Sequence, residues 1–180
     1  MLPVRKIWIP ILSLVLAAAV LLGIYNLTLN IRQANAQAEL QAKMETLLPG
    51  STTFAQEPYT GEDANIVFVY KGETGYVVGT STAGYAGPIH MLIGVSNDGA
   101  VTGLQVRQME ETFGLGAEAL TDWEFLAQFL RTEGDAAVGE NIDAISGATV
   151  TSKAITRCVN SAVGFVTGTD VDSGATSWGG

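Results

Sequence analysis

Asp143-Ala144-Ile145-Ser146-Gly147-Ala148-Thr149-Val150-Thr151-Ser152 is a small, turn-prone segment that runs straight into an amphipathic pattern. Beyond it Ile155, Cys158, Val159, Ala162, Val163 and Val166 recur at helical spacing, which predicts a helix with one apolar face. Ser146 is the expected N-cap, with Gly147 and Ala148 leaving the first turn uncluttered. Such a helix start offers free N–H groups and the positive end of the helix dipole, a setting that suits a phosphate. Thr149 falls in that first turn off the apolar stripe, so its hydroxyl is expected to point away from the core. From spacing alone, a Ser/Thr-capped helix start after a loop remains the simpler reading. No Lys follows the Gly as a P-loop requires, and the G-x-G-x-x-G spacing is missing.

Working back from this stretch, Gly134 to Glu140 reads as a loop, and Leu120, Trp123, Leu126, Phe129 and Leu130 make a second apolar stripe. Thr121-Asp122 lies near the start of that second helix. Glu110-Glu111-Thr112-Phe113-Gly114-Leu115-Gly116 precedes it as a Gly-rich loop. Four strands are expected before that, at Asn65–Tyr70, Gly75–Thr80, around Ile89–Val95 and at Val101–Arg107. Gly72–Gly75 and Asn97-Asp98-Gly99 are turns between them, and Gly84–Pro88 breaks the chain. The pattern predicts an antiparallel meander with one buried face, covered by the helices around Trp123 and Cys158, hence an α+β domain. Ser51 to Ala64 reads as a loop.

The N-terminal part differs in kind. Ile7 to Ile31 holds no charged residue; these roughly 25 residues give ~37 Å of helix, enough to cross a ~30 Å hydrocarbon core with tilt. Arg5 and Lys6 precede it, and Trp8 and Tyr25 lie near the expected interfaces. A single transmembrane helix is expected, with a cytoplasmic N-terminus and everything after Ile31 on the far side. Ala34-Asn35-Ala36 resembles a signal-peptidase site, but the apolar run exceeds the ~7–15 residues of a signal h-region. The expected division is 1–32 cytoplasmic end and anchor, 33–50 helical stalk ended by Pro49-Gly50, 51–167 domain, and 168–180 flexible tail.

Composition narrows the function. The 180 residues are 47% hydrophobic, with a mean hydropathy of +0.27 that fits a membrane segment. With net charge −9 and 9 Lys+Arg, there is no basic surface for nucleic acid. One cysteine, Cys158, excludes an intramolecular disulfide and a cysteine metal cluster; its place on the apolar stripe marks it as a buried thiol. His90 is the only histidine, so a three-histidine metal site is excluded. Ser146 lacks a G-x-S-x-G elbow, and no catalytic residue or metal ligand is assigned.

Ser146-Gly147-Ala148-Thr149, preceded by Asp143 and followed by Thr151-Ser152, resembles the flavinylation motif of FMN-binding domains. These domains occur in the G subunit of Rnf electron-transport complexes and the C subunit of sodium-translocating NADH:quinone reductases. Glu111-Thr112-Phe113-Gly114-Leu115-Gly116 resembles their E-T-x-G-L-G loop, which lies close to the flavin, with Phe113 where many relatives carry Pro. The short N-terminal segment and total length are more similar to the Rnf member.

The resemblance implies one FMN held as a phosphoester on Thr149. It implies further flavin contacts from Ser146, Gly147, Ala148, Val150, Thr151, Glu111, Thr112, Leu115 and Gly116. It implies an extracytoplasmic electron-carrier subunit of an Rnf-type complex that couples electron transfer between ferredoxin and NAD to Na⁺ or H⁺ translocation. Its partners are then the other membrane and redox subunits, a flavin transferase and the lipid bilayer. An anchored flavin sensor and a pilin-like structural subunit are the rival classes; the apolar run lacks the early Glu of a pilin. Ser173-Gly174-Ala175-Thr176 repeats the tetrad in the tail, but no amphipathic helix follows it.

Overall fold

The computed structural model describes residues 5–109, 122–130 and 132–169, with backbone alone at 5–13, 15, 108 and 109. It divides into two units, Met1–Ala42 and Lys43–Gly180. The first unit is the greater part of helix α1 (Arg5–Leu47). Leu14, Leu16, Leu21, Leu22, Ile24, Leu27 and Ile31 stand exposed along it. Two of its polar side chains bond back to the helix: Asn26 Nδ2 donates to Leu22 O at 2.9 Å and Thr28 Oγ1 to Ile24 O at 2.8 Å. Taken over the described residues, no helix is long and apolar enough to cross a membrane.

The second unit is α+β. Its sheet has five antiparallel strands in sequence order: β1 (Ala55–Glu57), β2 (Ile66–Lys71), β3 (Gly75–Ala83), β4 (Pro88–Ser96) and β5 (Val101–Met109). The strand β1 lies inside the stretch expected to be loop. Its three residues are largely exposed and pair only with β2, so they carry none of the alternation that marks a half-buried strand.

Helix α3 (Thr149–Thr167) covers one face of the sheet. Its Ala154, Ile155, Cys158, Val159, Ala162 and Val163 are fully buried against Val69, Val78, Met91, Ile93 and Val95. The expectation of one buried face is too simple, because Val77 and Leu92 on the opposite face are equally inaccessible. There the last turn of α1 contributes Met44 and Leu47, followed by Leu48, all buried. Glycine makes the seat: a Cβ on Gly94 would stand 2.2 Å from Leu47 O, and one on Gly103 would stand 3.1 Å from Leu47 Cα. Gly94 and Gly103 pair across β4 and β5, and Thr102 is the extra residue where that register shifts. Its Oγ1 donates to Leu47 O at 2.6 Å, satisfying a carbonyl that the end of a helix leaves open.

The second expected helix is short. Helix α2 (Trp123–Ala127) starts at Asp122, whose carboxylate accepts from the N–H groups of Glu124 (2.9 Å) and Phe125 (3.2 Å). Phe125 and Phe129 turn into the core as an edge-to-face pair with centroids 5.3 Å apart. Trp123, expected on the buried stripe, is instead 70% exposed.

Candidate functional site

The direction of α3 decides where its N-terminus lies. Phe165, near its C-terminal end, meets the Tyr76 ring at the start of β3, with centroids 5.6 Å apart. Further back, the buried Cys158 lies beside Thr80. The helix therefore runs antiparallel to β3. Its first residue, Thr149, points toward the end of the sheet where β3 turns into β4 through Gly84–Gly87 and where Met109 of β5 lies.

The chain reaches Thr149 through a tightly tied loop. Asn141 accepts from Ala137 N at 2.7 Å and donates to Asp135 O at 3.0 Å, and Ile142 plugs the core at 1% exposure. Gln128, just beyond α2, grips the next residue with its amide: Oε1 accepts from Asp143 N at 2.7 Å, and Nε2 donates to Asp143 O at 3.4 Å. Ile145 to Ala148 then form a β-turn closed by Ala148 N donating to Ile145 O at 2.9 Å. Gly147, its third residue, has φ +80°, a conformation that a type II turn reserves for glycine.

The N-cap is Ala148, not Ser146, and no side chain caps the helix. Ser146 lies inside the turn and is exposed. The hydroxyl that stabilises this corner belongs to Ser152, which is fully buried. Its Oγ accepts from Ile145 N at 3.3 Å and donates to Ala148 O at 3.0 Å. Sequence reasoning gave Gln128 no part, and quoted Ser152 only as a residue that follows the tetrad. A hydroxyl in the turn after the tetrad was the only available signal.

Among the ten sequence-assigned residues, Ser146, Gly147, Ala148, Thr149, Val150 and Thr151 form one contiguous corner. Thr149 is exposed and Val150 half-buried, whereas Ala148 and Thr151 are buried at 4% and 1%. Thr149, Val150 and Thr151 occupy the first turn, where backbone N–H groups have no acceptor within the helix. This arrangement fits a phosphate: uncommitted donors, the positive helix end and an exposed hydroxyl coincide. Glu111, Thr112, Leu115 and Gly116 lie outside the described residues, as do Leu120 and the tail tetrad Ser173–Thr176.

His90 is half-buried on β4 and, with Val67, Phe68, Thr80, Met91 and Arg107, lines a separate cavity. Cys158 is a buried thiol; desolvation pushes its pKa up to about 11.

Residues 84–164, from the β3–β4 turn almost to the end of α3, match the family model of the FMN-binding domain. The chain is 38% identical to the G subunit of the ion-translocating oxidoreductase complex of Methanosarcina acetivorans, over 87% of this chain and 92% of the relative. It is 34% identical to the G subunit of the Na⁺-translocating ferredoxin:NAD⁺ oxidoreductase complex of Acetobacterium woodii, over 85% and 86%. Against the G subunit of the proton-translocating ferredoxin:NAD⁺ oxidoreductase complex of Clostridium ljungdahlii it is 41% identical, over 51% and 53%. Fold, corner and likeness define an FMN-binding protein of the electron-transport class. The chain belongs to the G-subunit family of ion-translocating oxidoreductase complexes.

Proposed function

We propose that this chain is the electron-carrier subunit of a membrane-bound Rnf-type complex and carries one FMN as a phosphoester on Thr149. Likeness to G subunits over nearly the whole chain supports the role, and relatives named for Na⁺ and for protons both match. The observation that carries the attachment is the corner itself: an exposed threonine hydroxyl at the first position of a helix that no side chain caps.

Attachment takes FAD and a flavin transferase. A P–O bond forms to Thr149 Oγ and the pyrophosphate P–O bond of FAD breaks. AMP leaves with the electron pair, and the hydroxyl proton passes to the transferase. Once attached, FMN supplies the redox chemistry of the subunit. The chain's own residues hold it: the N–H groups of Thr149, Val150 and Thr151 bind phosphate oxygens, and Ser146 and Gly147 leave the approach open. A covalent link suits an exported domain, since free FMN outside the cell cannot be relied on to refill a site.

The membrane reading rests on Ile7–Ile31, which begins among residues described by backbone alone. A helix apolar on every side needs an apolar surround, and exposed leucines around Leu14–Ile31 have none of their own. Asn26 and Thr28 returning their hydrogen bonds to the helix backbone fits a medium without water. On this reading Arg5 and Lys6 stay cytoplasmic, the helix spans the lipid bilayer, and the FMN domain works on the extracytoplasmic side among the other redox subunits.

In-gel flavin fluorescence after denaturing electrophoresis tests the attachment. Thr149→Ala is expected to abolish the fluorescent band, while Thr151→Ala and Thr176→Ala retain it. A fluorescent Thr149→Ala band beside a dark Thr176→Ala band assigns the flavin to the tail tetrad. Bound flavin that survives denaturation also separates this reading from a pilin-like subunit, and electron flow within a purified membrane complex separates it from a sensor.

A further inference from the structure

We infer that Ser152 and Gln128 are positioning residues for flavin attachment: together they clasp the Ile145–Ala148 turn in the shape that presents the Thr149 hydroxyl. The inference rests on Thr149 as the acceptor and goes beyond it, because neither residue touches phosphate.

Ser152 reaches back across the turn from a fully buried position, joining its first residue, through Ile145 N at 3.3 Å, to its last, through Ala148 O at 3.0 Å. Ala148 O also accepts the first helical bond, from Ser152 N at 2.9 Å. One residue thus fixes the turn twice, by backbone and by hydroxyl. The bond from Ile145 N also satisfies a donor on the chain entering the corner.

Gln128 performs the matching task one step upstream. Both ends of its amide engage the backbone of Asp143, at 2.7 and 3.4 Å. It lies at the C-terminal cap of α2, whose neighbours Phe125 and Phe129 are packed at 2% and 0% exposure. The turn is therefore held from two rigid elements, α2 on the entering side and α3 on the leaving side. Between the two grips only Ala144, Ser146 and Gly147 are unrestrained by any side chain among the described residues, and all three are exposed.

Phosphoryl transfer to a hydroxyl depends on alignment, and a misplacement of about 1 Å can cost on the order of 100-fold in rate. Loss of either grip leaves Thr149 present and exposed but frees the turn on which it stands. Rate of attachment, not capacity for it, is the quantity expected to fall.

The test uses the full chain in detergent, produced without a flavin transferase and then given a purified transferase and FAD. The flavin fluorescence of the denatured band is timed at a temperature well below each variant's melting point. Ser152→Ala and Gln128→Ala are each expected to lower kcat for attachment about tenfold or more, with KM for the chain unchanged. Gln128→Glu keeps the acceptor for Asp143 N and is expected to restore most of the rate. A merely structural role lowers the melting temperature of Ser152→Ala while leaving the rate below it untouched, and that result overturns the inference. So does a rise in KM alone, which assigns these residues to transferase docking. Thr149→Ala separates the two levels. If it still accepts flavin, the attachment reading fails. If it does not, while Ser152→Ala and Gln128→Ala react at the normal rate, only the clasp fails.

Discussion

Cys158 shows how one buried side chain reports on its surroundings. Its thiol lies fully inside, on the face of α3 that meets β3, beside Thr80. Burial disfavours the thiolate and raises the pKa from 9.0 to about 11. A raised acid contributes stability that is fully present below the unfolded value and is lost as pH climbs through the folded one. The chain is therefore expected to lose stability between pH 9.0 and about 11, and Cys158→Ala is expected to flatten that slope in urea melts at stepped pH. Iodoacetamide at pH 8 is expected to leave the native thiol unlabelled and to label it in urea, because only the thiolate reacts. Rapid labelling of the folded chain contradicts the packing described. Burial of this residue was legible in the sequence, since it sits on a clean helical period. The roles of Gln128 and Ser152 were not: a polar side chain's partner is chosen by the tertiary path of the backbone, which periodicity does not encode.

Elements were legible in proportion to how much one face repeats. The long strands and α3 declare themselves by alternation and by the 3.6-residue period, and their expected positions agree with the structure to within a few residues. Two misreadings have specific causes. Trp123 appeared to belong to a stripe with Phe129, but Phe125 packs inward beside Phe129 and Trp123 stays exposed. The second buried face was signalled by the consecutive Met91-Leu92-Ile93, since a strand with one solvated face would alternate there. What covers that face at Gly94 was not signalled, because a glycine read alone does not say what approaches it. The approach makes a sharp prediction. Gly94→Ala drives a methyl into Leu47 O and is expected to destabilise the domain by about 1–3 kcal/mol. Thr102→Val removes the hydrogen bond to the same carbonyl, at about 1 kcal/mol. Both belong to one contact, so the double variant is expected to lose less than the sum of the two. Urea denaturation monitored by tryptophan fluorescence measures this, and full additivity shows that the two residues do not share Leu47.

At the scale of the whole chain, the proposed topology makes two physical demands on α1. Its apolar length has to lie in lipid, and its polar residues have to need no water there. Ile7–Ile31 meets the first by composition, and the internal bonds of Asn26 and Thr28 meet the second at those two positions. Orientation then follows from charge, since basic residues flanking a span are retained on the cytoplasmic side. Arg5 and Lys6 precede the run, whereas Arg32 alone follows it closely and pulls the other way. Two positive charges against one give a bias in the stated direction. Replacing Arg5 and Lys6 with Gln is expected to remove that bias and yield a mixed population. Protease added to spheroplasts is expected to digest the domain of the unaltered chain, protect its N-terminal end, and digest only part of the double variant. Sequencing the protected fragment distinguishes retention from cleavage, because processing after Ala36 leaves a mature chain that starts at Gln37 and has no anchor. A domain resistant to protease in intact spheroplasts, but cleaved once they are lysed, places the FMN domain in the cytoplasm and reverses the proposed topology.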